Sequence, residues 1–185
     1  MSLPGGFDTA LCLNGARLQL RPMQAGDSEQ WLGIMADPAV MRYWHHAPWQ
    51  TLAEAEVALL ADRAAYLAGR SLKLGIYPNG SDLLLGMCQF FNIDAESRRG
   101  EIGYCLASSA QGQGYMREAL DLFVEYLTFE LGMRRLEAEI DPRNSASATT
   151  LERLGFVREG LLRERWCIAG EVSDSALYGL LLEST

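Results

Sequence analysis

The sequence has no long hydrophobic run. Its apolar stretches, such as Leu83–Leu85 and Leu180–Leu182, are far too short to cross a bilayer, which takes about 20 consecutive apolar residues. No basic start followed by an apolar segment opens the chain, so neither a secretory signal nor a membrane partner is expected. Paired cysteines are missing as well. Cys12, Cys88, Cys105 and Cys167 are scattered without a C-x-x-C spacing, which argues against a structural zinc site and a dense disulfide framework. Reduced, mostly buried thiols in a cytoplasmic protein are expected instead. Histidine is scarcer still: His45 and His46 are the only two. Adjacent side chains point in different directions on a helix or a strand, so no shared metal is expected, and neither histidine has an evident nucleophile partner. Internal repeats, low-complexity tracts and interdomain linkers are also absent.

What is present suits a folded domain. The chain has 185 residues, 49% hydrophobic and 22% charged, enough to bury a real core. A formal net charge of −8 disfavours a nucleic-acid partner. An acidic field would help to collect cationic amines, peptides or polyamines, although simple solubility explains the same charge.

Alternation over Arg17–Arg21 predicts a first strand, ended by Pro22. Asp27 is expected to cap a short helix carrying Trp31, Leu32 and Met35 that stops near Asp37-Pro38. Val40–Trp49 is aromatic-rich and irregular, suited equally to a cleft cover and to core packing. Thr51-Leu52-Ala53-Glu54 forms a capping box that opens a helix running to about Ala68, with Gly69 as its stop. Leu72–Tyr77 and Leu83–Ile93 read as strands joined at Pro78-Asn79-Gly80, and Glu101–Leu106 as another. Gln113–Leu131 is helical by period, with Met116, Ala119, Leu120, Phe123, Leu127 and Leu131 on one face. Leu136–Ile140 follows as a strand, Ser145–Leu154 as a helix ended by Gly155, and Leu161–Ile168 with Ala176–Leu182 as a hairpin turning at Ala169-Gly170. One mixed α/β domain accounts for residues 1–185.

The informative stretch is Ala110-Gln111-Gly112-Gln113-Gly114-Tyr115-Met116, between a strand and a long helix. Glycines let the backbone turn tightly and approach a ligand. The first helical turn leaves N–H groups unpaired at the positive end of the helix dipole, a cradle suited to a pyrophosphate. The pattern lacks G-x-G-x-x-G in a parallel βαβ unit and the Gly-Lys-Ser/Thr ending of a triphosphate loop. A plain structural turn is the competing explanation.

This loop resembles the [QR]-x-x-G-x-[GA] pattern of the GNAT superfamily of N-acetyltransferases, with Gln111 and Gly114 in register and Met116 where glycine or alanine is usual. Gly112, Gly114, Tyr115, Glu118 and Ala119 fit its RimJ/RimL-like branch. Further resemblances follow in order: Arg17–Pro22 to the L-x-L-R-P opening, Ile102-Gly103-Tyr104 to the fourth strand, Asn144–Ser147 with Leu151–Phe156 to N-x-x-S…LGF, and Glu159–Arg163 with Asp174 to E-G-x-x-R…D. They cover about residues 16–182.

The resemblance implies the GNAT fold, a mixed, mostly antiparallel twisted sheet flanked by helices with two central strands splayed apart, and acetyl-CoA as cosubstrate. It implies acetyl transfer to a primary amine, on a small molecule or a peptide or protein N-terminus, by direct attack in a ternary complex. A non-catalytic acyl-CoA-binding module that kept the fold is the alternative. Ile102, Tyr104 and Leu106 would lie beside the pantetheine arm, with backbone N–H groups toward the thioester. Gln111, Gly112, Gln113, Gly114, Tyr115 and Met116 would cradle the pyrophosphate. Asn144 and Ser147 would contact the arm. Many members place a tyrosine four residues before the glycine of the GF dipeptide; Leu151 stands there, and Ser147 matches a branch alternative close to the sulfur. An exposed amine is protonated near neutral pH, so a base is needed. Glu101 is the first choice, with Glu137 and Glu139 as alternatives. Members of the family often pair, and Leu177–Leu182 would suit a homodimer as well as a core.

Overall fold

The computed structural model describes residues 5–182. In chain order the elements are β1 (Leu13–Asn14), β2 (Leu18–Arg21), α1 (Ser28–Met35), α2 (Pro38–Met41), α3 (Leu52–Leu67), β3 (Leu72–Pro78), β4 (Gly86–Asp94), β5 (Arg99–Leu106), α4 (Tyr115–Phe129), β6 (Arg135–Ile140), α5 (Ser145–Arg153), β7 (Val157–Ile168) and β8 (Glu171–Leu181). The strands form one open sheet in the order β1-β2-β3-β4-β5-β6-β8-β7. Every neighbouring pair is antiparallel except β5 and β6, which run parallel. Mixed α/β architecture, mostly antiparallel strands and flanking helices are as expected.

Alternation along the strands sorts side chains into two cores. Phe90, Ile102 and Leu106 join Leu120, Phe123 and Leu127 of α4. Met87 and Cys105 join Trp31 of α1 and Leu59 of α3. The capping box at α3 forms, the Thr51 N–H donating to Glu54 Oε2 at 2.8 Å.

Several boundaries differ from the sequence reading. Asp27 does not cap α1 through its side chain. Its carboxylate is buried and accepts from the Gln24 N–H at 2.7 Å and the Tyr77 hydroxyl at 2.8 Å, partners that local sequence does not announce. Leu83–Leu85 lie in the loop before β4; Gln30 Oε1 accepts the Leu84 N–H at 2.9 Å, and Leu84 and Leu85 bury their side chains from outside the strand. The final hairpin is longer than its apolar pattern, β7 starting at Val157 and β8 at Glu171, because β7 is an edge strand whose residues are mostly exposed. Cys12 and Cys167 are exposed, so only Cys88 and Cys105 are buried thiols. The two-residue β1 was too short to give a periodic signal.

Candidate active site

The loop after β5 is held open at an uncapped helix. Gly112 and Gly114 take positive φ of 72° and 78°, the left-handed region in which a side chain is strained. The N-cap of α4 is Gly114, with no side-chain cap, and the first ladder bond runs from the Glu118 N–H to the Gly114 carbonyl. The N–H groups of Tyr115, Met116 and Arg117 thus precede the ladder and carry the positive end of the dipole. Gln111 folds back so that its Nε2 donates to the Leu106 carbonyl at 3.2 Å, and Gln113 donates to the Ser109 carbonyl at 2.9 Å. These two side chains brace the loop. Arg17 reaches across from just before β2, pairs with Glu118 at 2.8 Å, donates to the Gln113 carbonyl at 3.0 Å and lies 4.9 Å from the Tyr115 ring centroid. The sequence reading used Arg17 only as the opening of a strand, since no local spacing links it to a loop some hundred residues away.

Below this loop the sheet comes apart. β5 and β6 are in register only at Arg99↔Arg135, Gly100↔Leu136 and Glu101↔Glu137. On its other edge β5 stays paired with β4 up to Leu106, and the Ala107 N–H donates to the Leu85 carbonyl at 2.8 Å. Backbone groups alternate in direction along an antiparallel strand, so Ile102, Tyr104 and Leu106 turn theirs to the unpaired edge. Ile102 and Leu106 bury their side chains in the core, which leaves their backbone as what they can offer a ligand. A cleft of about 240 Å³ occupies the gap, lined by Glu101–Tyr104, Ala138–Asp141, Asn144, Ser147 and the segment around Trp44.

At the start of α5, Asn144 Oδ1 accepts the Ser147 N–H at 3.1 Å, the capping bond its position implies. Both side chains line the cleft. The Ser147 hydroxyl meets the Tyr104 hydroxyl at 2.8 Å. Leu151 is fully buried.

The three carboxylates differ in their partners. Glu137 is held by Arg99 at 3.1 Å and Arg135 at 2.8 Å. Glu139 accepts from Trp166 Nε1 at 2.8 Å and lies 3.5 Å from Arg165. Glu101 has only the neutral Asn92 amide, at 2.9 Å, and no ion-pair partner among the described residues. Burial pushes its carboxyl above the usual carboxylate range, and the charges of Glu139 and Glu137 add to that. Asn92 sits at the β4 irregularity with φ 50°, which aims its amide at Glu101.

The segment between α2 and α3 supplies an aromatic wall. His45 stacks on Trp166 of β7 at 4.6 Å between centroids, with Trp44 6.2 Å from His45. Burial lowers the His45 pKa, with the Glu139 charge opposing. Tyr43, Trp44, His45 and Glu139 also border an outer cavity of about 350 Å³ that reaches Trp166 and Glu171. Trp166 was unseen from sequence because a tryptophan on an exposed edge strand carries no periodic signal. The structure thus gathers Glu101, Ile102, Tyr104, Asn144 and Ser147 about one cleft, while Gln111–Met116 form the turn above the far end of β5.

Residues 17–157 match the family described as the acetyltransferase (GNAT) domain. The chain is 32% identical to the N-acetyltransferase p20 of Bacillus licheniformis over 165 residues, 89% of this chain and 93% of that one. It is 29% identical to the [ribosomal protein uS5]-alanine N-acetyltransferase of Escherichia coli, over 60% of this chain and 58% of that one. Among solved structures, the spermidine N-acetyltransferase of Vibrio cholerae in complex with CoA and spermine superposes with a TM-score of 0.80 at 22% identity, covering 90% of this chain and 96% of that one.

Proposed function

This chain belongs to the GNAT acetyltransferase family, and on that premise we propose that the open seam between β5 and β6 acetylates the α-amine of a peptide N-terminus, with Glu101 receiving the amine's proton. Membership makes it an acetyl-CoA-dependent N-acetyltransferase that transfers the acetyl group to an amine. The single observation that carries the assignment of roles is Glu101 in the wall of the cleft, desolvated and with no ion-pair partner among the described residues, while the other two carboxylates are engaged.

The residues fit acetyl-CoA. An uncapped helix N-terminus, two left-handed glycines and the Arg17 guanidinium suit a pyrophosphate. A Cβ at Gly112 would meet nothing within 4 Å, so the turn faces open space. The N–H groups of Gln111–Met116 would hold the phosphates, the free edge at Ile102, Tyr104 and Leu106 the pantetheine arm, and Asn144 and Ser147 its reactive end. Bound acetyl-CoA supplies an activated thioester carbonyl. Backbone N–H groups of β5 would bond that carbonyl oxygen as charge develops on it. Glu101 takes the proton that the attacking amine must lose. The Ser147 hydroxyl donates a hydrogen bond to the departing sulfur. Residues 1–185 act in this reading as one domain.

The outer cavity favours a peptide over a polyamine. Arg143 pairs with both Asp141 at 2.6 Å and Glu171 at 2.5 Å, and Glu139 accepts from Trp166 with Arg165 at 3.5 Å, so each of these carboxylates has a cationic side chain beside it. A polyamine needs several uncompensated carboxylates; an N-terminal amine with an uncharged chain behind it needs one, plus apolar walls such as Trp44 and Trp166. Calorimetric titration with acetyl-CoA, with ATP and NAD as controls, tests the cofactor, and thiol release with Ala- and Ser-initiated peptides against spermidine tests the acceptor. Acetyl-CoA at about a hundred times its Kd should add about 2.7 kcal/mol of stability, and the controls none. Peptides should release thiol faster than spermidine. Absence of acetyl-CoA binding overturns the site, and a preference for spermidine overturns the acceptor.

A further inference from the structure

The cleft holds a second hydroxyl whose side chain has had no role so far, the phenol of Tyr104. Leu151, where many GNAT enzymes carry a tyrosine, is buried in the core, so α5 offers no phenol there. β5 brings one from the opposite wall. Glu101 and Tyr104 are three residues apart on the same strand and project from opposite faces of the sheet. The base therefore stands on one side of the seam and the hydroxyl pair on the other.

Tyr104 lies 2.8 Å from Ser147 Oγ and 3.3 Å from the Ser147 carbonyl. A phenol has one proton to give. If that proton went to the carbonyl, Ser147 would spend its own on the phenol oxygen and face the cleft with lone pairs only. If it goes to Oγ, the Ser147 proton is free. The shorter distance favours Oγ, and the carbonyl lies in the first turn of α5, where the helical ladder supplies an N–H four residues on. Burial raises the Tyr104 pKa, so the phenol keeps its proton and a thiolate cannot strip it.

We propose that Tyr104 is a positioning residue: its O–H donates to Ser147 Oγ and so turns the Ser147 hydroxyl proton into the cleft, toward the departing sulfur. The inference rests on the role given to Ser147 above. As the N–C bond forms and the C–S bond breaks, the electron pair stays on sulfur and the amine's proton goes to Glu101. The hydroxyl pair stabilises the new thiolate by hydrogen bonding, and solvent protonates it on release.

The test is a kinetic square of wild type, Tyr104→Phe, Ser147→Ala and the double variant, using the best peptide acceptor from the panel above. Each is measured with acetyl-CoA and with its selenoester analogue, whose selenolate leaving group is a weaker base and depends less on a donor. With acetyl-CoA, kcat should fall about tenfold in Tyr104→Phe and up to about a hundredfold in Ser147→Ala, with the KM for acetyl-CoA little changed. The double variant should be no worse than Ser147→Ala, and the selenoester should shrink both losses to within about threefold. A Tyr104→Phe variant with wild-type kcat beside an impaired Ser147→Ala overturns the positioning role alone. Equal losses with both donors, or a loss confined to KM, make Tyr104 a prop for α5 and overturn it too. An unimpaired Ser147→Ala overturns the underlying reading of Ser147, and the proposal with it.

Discussion

The seam between β5 and β6 has two ends that behave differently. From Arg99 to Glu101 the strands are paired, and Glu137 is clamped between Arg99 and Arg135. From Ile102 onward they part, β5 turns an unpaired backbone edge to a cleft, and Glu101 stands at the fork with no ion-pair partner among the described residues. One end satisfies its polar groups and contributes stability. The other leaves groups unsatisfied that in a closed sheet would be paired, a cost that is tolerable only where a ligand or water completes them. Glu101 and Glu137, opposite each other in register, divide these two tasks.

The largest expected effect separates the two carboxylates. Glu101→Gln removes the proton acceptor while keeping size and the bond to Asn92, and kcat/KM should fall by about 10²–10³-fold. Glu137→Gln should leave turnover within about twofold and cost about 1 kcal/mol of stability, measured by denaturant unfolding. If Glu137→Gln loses activity and Glu101→Gln does not, the division is reversed.

A smaller effect probes the far end of the open half. Gly114 has φ 78°, and a Cβ there would come within 3.4 Å of the Arg17 guanidinium. Gly114→Val should strain the turn by about 1–2 kcal/mol and displace Arg17, raising the Kd for acetyl-CoA about tenfold. Unchanged affinity by calorimetry would mean that the turn does not shape the phosphate site.

What could be read from the sequence follows the same line. The amphipathic face of α4, the capping box at Thr51 and the strand Glu101–Leu106 were visible because each is a local pattern with a period or a cap. Glu101, Asn144 and Ser147 were visible through a family resemblance, and the structure places them about one cleft. Arg17, Asn92, Tyr104's phenol and Trp166 were not assigned their contacts. Arg17 meets its partners across the whole fold, Asn92 is aimed by a strand irregularity, Tyr104 touches Ser147 only because the strands splay, and Trp166 lies on an edge strand. Contacts between distant segments carry no periodic trace. The same holds for Asp27, whose buried bond to Tyr77 displaced the capping role its position suggests.

The smallest effect concerns stability alone and tests whether the open end carries the cost of a desolvated carboxylate. Burial holds the Glu101 carboxyl above the usual range, the Glu139 and Glu137 charges add to this, and the Asn92 bond and Arg165 oppose it. A carboxyl whose pKa is higher folded than unfolded binds its proton more tightly in the native state. Its contribution to stability is fully present below the unfolded value, about 4.3, and is lost as pH rises through the folded value. Wild type therefore gives up stability over that window, whereas Glu101→Gln has no proton to lose there. All other titrating groups are shared, so the difference in Tm between the two proteins isolates Glu101. Scanned from about pH 4 to pH 7 by circular dichroism, that difference should grow in favour of Glu101→Gln, the same variant that loses activity. A difference that stays flat with pH would show that Glu101 is solvated in the folded protein, and the distinction between the two ends of the seam would then rest on backbone pairing alone.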